Sequence, residues 1–431
     1  MKKHRAELYD KIQNVIGNYN DRMVRGIFQY DFDINTDILC DILMNFCELS
    51  PVMHSVFCKG VFTHYWREKT VTTEDIISIK YTDTPEIDAM QFICGMLPME
   101  NGVQFKLGVF KNKSKTQSIL AVITSHMYMD GGDLKYFLRM LCKAYNNAIN
   151  NKPYTKLLKN GSRSYKIVYR DLNKKISNKA KCLFSNPTPK NTRVFGLTES
   201  SYKDSSFIIT KIISSEFFYG IKEYGKIHNA TINDMILTAY FISLYNMGKV
   251  DLGEAINISS AIDLRRYMTD SEKTGITNHS SYLPYTIMLG SSDFNNVLHS
   301  VTAISHNYKS DPFTGLYGLP LLNLGYSVFM PFISDRLVKK FYNNPYLAIS
   351  NIGILHEDFY RIGECSPQKA FITGSVKYKP GIMVTVTTYK NEMTLSMCCK
   401  GNENDKKMLE KLLSGIKENL IQITKNYVSG T

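Results

Sequence analysis

The sequence predicts a mixed α/β protein built from two folded units. Its 431 residues exceed what a single hydrophobic core usually organises. Hydrophobic residues make up 44%, enough to fill two such cores. Short β-branched runs alternate with stretches whose apolar residues recur at helical spacing. The order of elements recurs loosely between the halves, without a fixed-period repeat.

In the first half, Glu7 to Gly17 predicts a short helix and Met23 to Phe32 a strand. Asn35 or Thr36 caps a helix to about Leu49, with Ile38, Leu39, Ile42, Leu43 and Phe46 on one stripe. Pro51 to Phe57 and Ile76 to Tyr81 read as short strands. Val103 to Phe110 and Gln117 to Thr124 read as a pair joined by the polar turn Lys111–Ser114. This first unit covers residues 1–150. Residues 151–200 read as a linker carrying Pro153, Pro187 and Pro189.

The second unit, 201–431, starts with strand Ser206 to Ile213 and helix Ser215 to Tyr224. A longer helix from Thr231 to Met247 precedes strand Ala255 to Ala261, which runs into Asp263-Leu264-Arg265. Strand Ser280 to Leu289, helix Ser292 to His306 and strand Tyr346 to Ile354 follow. Strands Gly381 to Tyr389 and Glu392 to Cys399 lead to a closing amphipathic helix with Met408, Leu409, Leu412, Leu413, Ile416 and Leu420 on its apolar face. Leu316 to Ile333 has no charged residue. Gly318, Pro320, Gly325 and Pro331 interrupt it, which favours buried helices or an apolar channel lining over membrane contact.

Net charge is +13. Between Asn151 and Lys190, 11 Lys and Arg stand against the single acid Asp171. Nucleic acid, an anionic membrane surface, a phosphate-bearing ligand or an acidic protein would each suit such charge; so would a simple solvated linker. No zinc finger, RRM or basic-zipper signature supports nucleic acid. The nine cysteines include no C-x-x-C pair, which argues against a disulfide framework or a zinc ribbon. No apolar stretch follows the basic Met1–Arg5, so a cytoplasmic location is expected.

The chemistry concentrates in Ser125-His126-Met127-Tyr128-Met129-Asp130-Gly131-Gly132-Asp133. The run Ile119 to Thr124 before it reads as a buried strand. Leu134, Phe137, Leu138, Leu141 and Tyr145 after it mark an amphipathic helix. A histidine thus stands at a strand end, and two glycines let the chain turn sharply into a helix. Taken alone, the stretch admits both a hydrogen-bonded turn and a catalytic centre. His54, His64, His228, His279, His299, His306 and His356 lack metal-ligand spacing.

Three motifs in order carry a resemblance across nearly the whole chain: His126-x-x-x-Asp130-Gly131, Asp263-Leu264-Arg265, and Ser350-Asn351-Ile352-Gly353. Together they resemble the condensation-domain-like acyltransferases, which include peptide-synthetase condensation domains, alcohol acetyltransferase-like proteins and polyketide-associated acyltransferases. Condensation domains proper usually carry two adjacent histidines; here Ser125 takes the first place. The resemblance implies two chloramphenicol-acetyltransferase-like lobes in a V, with His126 midway along a channel. It implies acyl transfer from a thioester, either acyl-CoA or the phosphopantetheine of an acidic carrier protein, to a small alcohol or amine. His126 would be the general base, since imidazole titrates near neutrality. Asp130 would pair with Arg265 rather than with the imidazole, and Gly131 would supply the turn. Ser125, Gly132, Ser350 and Asn351 become substrate or oxyanion contacts, with strand capping the alternative for the last two. Neither a metal nor a bound cofactor is implied. A stand-alone amide-forming condensation enzyme and a non-catalytic docking module are the competing readings.

Overall fold

A computed structural model of the protein describes residues 2–170, 172 and 195–425. Strand β1 (Lys3–Arg5), helix α1 (Leu8–Ile16) and β2 (Met23–Tyr30) open the chain. Helix α2 (Thr36–Leu49) starts where Asn35 accepts hydrogen bonds from the amides of Asp37 and Ile38. The expected strand from Pro51 is half replaced by a 3-10 turn, Pro51–His54, and β3 is confined to Ser55–Cys58. Proline has no N–H to give a ladder, so the extended run begins only past it.

Next come β4 (Tyr65–Glu68), α3 (Thr73–Ile76), β5 (Ile77–Thr82) and α4 (Pro85–Ile93). Sequence reading misses β4 and α4. The strand buries one side chain, Trp66, and the helix has no side-chain cap. The pair β6 (Phe105–Asn112) and β7 (Ser118–Ser125) leads into α5 (Gly131–Ile149).

The second half adds β8 (Ser205–Ile213), α6 (Ser215–Ile227), α7 (Ile232–Asn246), β9 (Ala255–Asp263) and β10 (Ser280–Met288). Helices α8 (Phe294–Ser310), α9 (Leu319–Val328) and α10 (Pro331–Phe341) follow. Strands β11 (Leu347–Leu355), β12 (Lys369–Thr373), β13 (Ile382–Tyr389) and β14 (Glu392–Gly401) and helix α11 (Glu403–Gln422) complete it. Helix α7 is buried from Asp234 through Leu244, the signature of a helix enclosed on all sides.

Two large sheets result. One runs β12-β2-β7-β6-β5; the other runs β10-β9-β11-β13-β14-β8, and β1-β4-β3 forms a small third sheet. Strand β7 is buried at every position, flanked by β2 and β6. Sequence reading misses β12, yet it matters for the architecture. It leaves the second half and pairs antiparallel with β2, Phe371 opposite Ile27, covering what would be an open edge. One hydrophobic core packs on each large sheet. A smaller cluster joins Leu8, Tyr9 and Val15 of α1 to Leu319, Tyr326 and Val338 of α9 and α10.

Two expectations change here. The uncharged stretch 316–333 forms helices, but α9 buries only Leu319 and Tyr326, leaving Leu321, Leu324 and Val328 exposed. No helix among the described residues is long and apolar enough to cross a membrane. Of the 151–200 segment, the described beginning is built into the fold: the Asn160 amide donates to the Leu49 carbonyl at 2.6 Å, and Ser50 donates to Asn160 at 2.7 Å. Most of the basic run, with Cys182, Pro187 and Pro189, lies outside the described residues.

Candidate active site

Strand β7 delivers the turn. Its last residue, Ser125, is fully buried; its amide donates to the Gln104 carbonyl at 2.8 Å. The Ser125 carbonyl accepts from the amides of Tyr128 and Met129, and its Oγ accepts from the Met127 amide at 3.2 Å. The hydroxyl is therefore spent on holding the turn. His126 donates its backbone N–H to the Arg22 carbonyl at 2.6 Å, which fixes where its ring emerges.

The His126 ring is half-buried, and Nδ1 has no hydrogen-bond partner among the described residues. Burial lowers its pKa below the ordinary 6.5, outweighing the pull of the Asp130 charge. The imidazole is accordingly neutral at neutral pH and able to accept a proton.

Asp130 is the N-cap of α5, its Oδ1 accepting from the Asp133 amide at 2.9 Å. Asp133 closes the reciprocal box through Oδ2 at 3.3 Å. Into this box reaches Arg265 from the 3-10 turn after β9. Its Nη2 lies 2.9 and 2.8 Å from the two Asp130 oxygens and 2.6 Å from Asp133 Oδ1. Nη1 meets Asp263 at 2.9 Å and Nε donates to Thr277 Oγ1 at 2.8 Å. Burial alone would raise Asp130, but the Arg265 charge holds it below 3.8. Burial and the Asp130 charge push Asp133 up to about 6 against the same guanidinium.

Asp133 fastens the second half as well, accepting the amides of Thr277 at 3.0 Å and Asn278 at 2.6 Å. Asn278 sits at φ +55°, a left-handed geometry that asparagine tolerates, and its side-chain amide donates to the His126 carbonyl at 2.8 Å. Arg163, from the presumed linker, donates to the carbonyls of Met127 at 2.6 Å and Tyr128 at 2.8 Å and pairs with Asp10 of α1. His279 bonds the Ser162 carbonyl through Nε2 at 2.8 Å, and burial lowers its pKa to about 4.

Sequence reading names Asp130 and Arg265 but passes over Asp133 and Arg163. Asp133 carries a legible signal, since an acid three residues after an N-cap closes a capping box. Arg163 carries none, because it reaches backbone carbonyls of a turn remote in sequence.

Strand β11 approaches the same helix terminus. A Cβ on Gly131 would stand 2.6 Å from Ile352 Cδ1, and one on Gly132 3.1 Å from Arg265 Nη1. Both glycines lie in close approach to side chains of the second half, and neither adopts a positive φ. Lys135 of α5 donates to the Ile352 carbonyl at 2.7 Å, where the register of β11 on β13 slips between Asn351 and Gly353. Asn351 is exposed, and its Oδ1 accepts from the Gly353 amide at 2.9 Å, capping this bulge. Ser350 is half-buried in the same strand opposite Thr385.

The fold is similar to that of solved condensation-domain and acyltransferase structures. Across 99% of the chain it is similar to the epimerization domain from the third module of tyrocidine synthetase B, covering 97% of that chain, with a TM-score of 0.67 and 12% identity. Polyketide synthase associated protein 5 from Mycobacterium tuberculosis gives a TM-score of 0.67 with 98% of both chains covered and 13% identity. Trichothecene 15-O-acetyltransferase from Fusarium sporotrichioides gives 0.69 over 97% of this chain and 95% of that one, at 11% identity. No family model and no curated protein sequence matches the chain.

Proposed function

We propose that the protein is an acyltransferase that moves an acyl group from a thioester to an alcohol or amine, with His126 as general base. One observation carries this reading: the motif's histidine and aspartate are separated by what each touches. Asp130 is consumed by Arg265 and the α5 cap, whereas the half-buried, neutral His126 keeps an Nδ1 with no hydrogen-bond partner among the described residues. A neutral imidazole can take the proton of an attacking hydroxyl or amine and return it to the departing thiolate.

No covalent enzyme intermediate is required, because donor and acceptor react directly in a ternary complex. The tetrahedral oxyanion would be met by the first-turn N–H groups of α5 at Gly131 and Gly132, aided by the positive end of the helix. Neither amide has a hydrogen-bond acceptor among the described residues. Ser350 is a further candidate to touch substrate. Asn351 and Ser125 would act instead through the backbone they hold.

The donor is an acyl-CoA or a carrier-bound phosphopantetheine thioester, and the net charge of +13 suits either anionic carrier. The eight described cysteines are unpaired, which fits a reducing, cytoplasmic setting. Thiol release from a panel of acyl-CoA donors, with alcohols and amines as acceptors, tests the reading. Acceptor-dependent release that His126→Ala abolishes supports it. Acylation from carrier proteins alone, giving amides, would reassign the chain as a condensation enzyme. Absence of turnover with both donor types would leave a docking module.

A further inference from the structure

Helices α9 and α10 break the usual rule for surface helices. In α10 the core-facing stripe is Pro331, Ser334 and Val338, while Phe332 and Phe341 face outward. In α9, Leu321, Leu324 and Val328 recur at i, i+3, i+7 on the exposed side, and Phe329 continues them into the link. Val328 is 65% and Phe341 74% exposed, well beyond the scattered apolar exposure of an ordinary surface.

A second segment extends the patch. Phe62, 89% exposed, stands at the tip of the β3–β4 link, and two residues on His64 bonds Asp335 of α10 at 3.2 Å. Asp335 is the only acid between Leu319 and Phe341, and it turns inward to His64 and Tyr326. The remaining charges, Arg336, Lys339 and Lys340, are all exposed cations.

We propose that this helical hairpin is a membrane-docking surface that lies on bilayers rich in anionic lipid. Large apolar side chains flanked only by cations suit the boundary between headgroups and acyl chains, where each partner meets its complement. An acidic or mixed-charge protein face would leave the apolar area only partly matched, whereas a bilayer satisfies both features at once. The helices are too short to span a membrane, so they would rest in its surface. Their inner side packs on α1, whose Asp10 holds Arg163 at the His126 turn, so docking would place the candidate site just behind the bound face. The surface itself does not depend on the proposed acyl transfer.

The test is co-sedimentation of the full chain with vesicles of phosphatidylcholine alone and with about one-third phosphatidylglycerol. The wild type should pellet with the anionic vesicles, far less with the neutral ones, and be released by salt. Val328→Asp/Phe341→Asp should abolish pelleting, and Lys339→Glu/Lys340→Glu should weaken it at least about tenfold, both with unchanged melting curves. Failure of the wild type to pellet, equal binding to both vesicle types, or undiminished binding by the Val328→Asp/Phe341→Asp variant would overturn the proposal. So would concentration-dependent self-association that this variant abolishes, without vesicle binding; that would make a second copy the occupant.

Discussion

Arg265 grips both carboxylate oxygens of Asp130, at 2.9 and 2.8 Å, across 135 positions of sequence. The contact is buried and is shared with Asp133 at 2.6 Å. It makes the N-terminus of α5 and the turn after β9 one rigid object, and the His126 turn is mounted on it.

Removing either partner should therefore damage the fold before it damages chemistry. Arg265→Ala leaves the buried Asp130 and Asp133 uncompensated, at a cost of about 3–5 kcal/mol, whereas Asp130→Ala costs less because Asp133 and Asp263 still meet the guanidinium. Urea denaturation reads this directly. Wild-type stability in Asp130→Ala with a selective loss of turnover would instead give Asp130 a chemical role.

His126→Ala should behave the opposite way, keeping the melting temperature while turnover falls by about 10²–10⁴-fold. The pH dependence carries a sign. Because burial lowers the imidazole pKa, the reactive neutral form persists below pH 6.5, and the rate should fall only on further acidification. The same depression means that the unfolded chain binds the proton more readily. Above 6.5 the ring is neutral in both states and costs the fold nothing, and as pH falls through the lowered value the wild type loses stability that His126→Ala keeps. Rate profiles and melting curves of wild type and variant, compared from neutral to acid pH, check both statements.

Gly131→Ala should strain the meeting of the two halves, since the new methyl would stand 2.6 Å from Ile352 Cδ1. The expected loss is about 1 kcal/mol, the low end for overpacking, because the terminal methyl of Ile352 can turn aside. Ile352→Ala in the same chain should recover most of it, which a double-mutant cycle would show.

Lys135→Met deletes the tie from α5 to the Ile352 carbonyl. Losing a charged donor to a backbone acceptor should cost about 1.5–3 kcal/mol. If the β11 bulge also presents Ser350 to substrate, KM should rise more than kcat falls, which steady-state kinetics can separate.

Local physics is legible without coordinates. The apolar stripe from Leu134 to Tyr145, the Asn35 cap and the β6–β7 pair rest on neighbours in sequence, whereas the pairing of Asp130 with Arg265 is expected only through the family resemblance that the three motifs carry. What sequence order leaves open is which side of an element finds a partner. Strand β12 is short and weakly patterned, yet the edge of β2 draws it across from the second half. The apolar run at 316–333 reads as core by composition, but only packing determines that α9 and α10 turn those side chains outward. Arg163 and Asn278 reach the His126 turn through bonds to backbone carbonyls, which every residue possesses and no motif announces. Within the stretch Ser125–Asp133, residue types marked the chemistry. The tertiary contacts leave His126 Nδ1 without a partner among the described residues, while Asp130 and Asp133 are committed to Arg265 and the α5 cap.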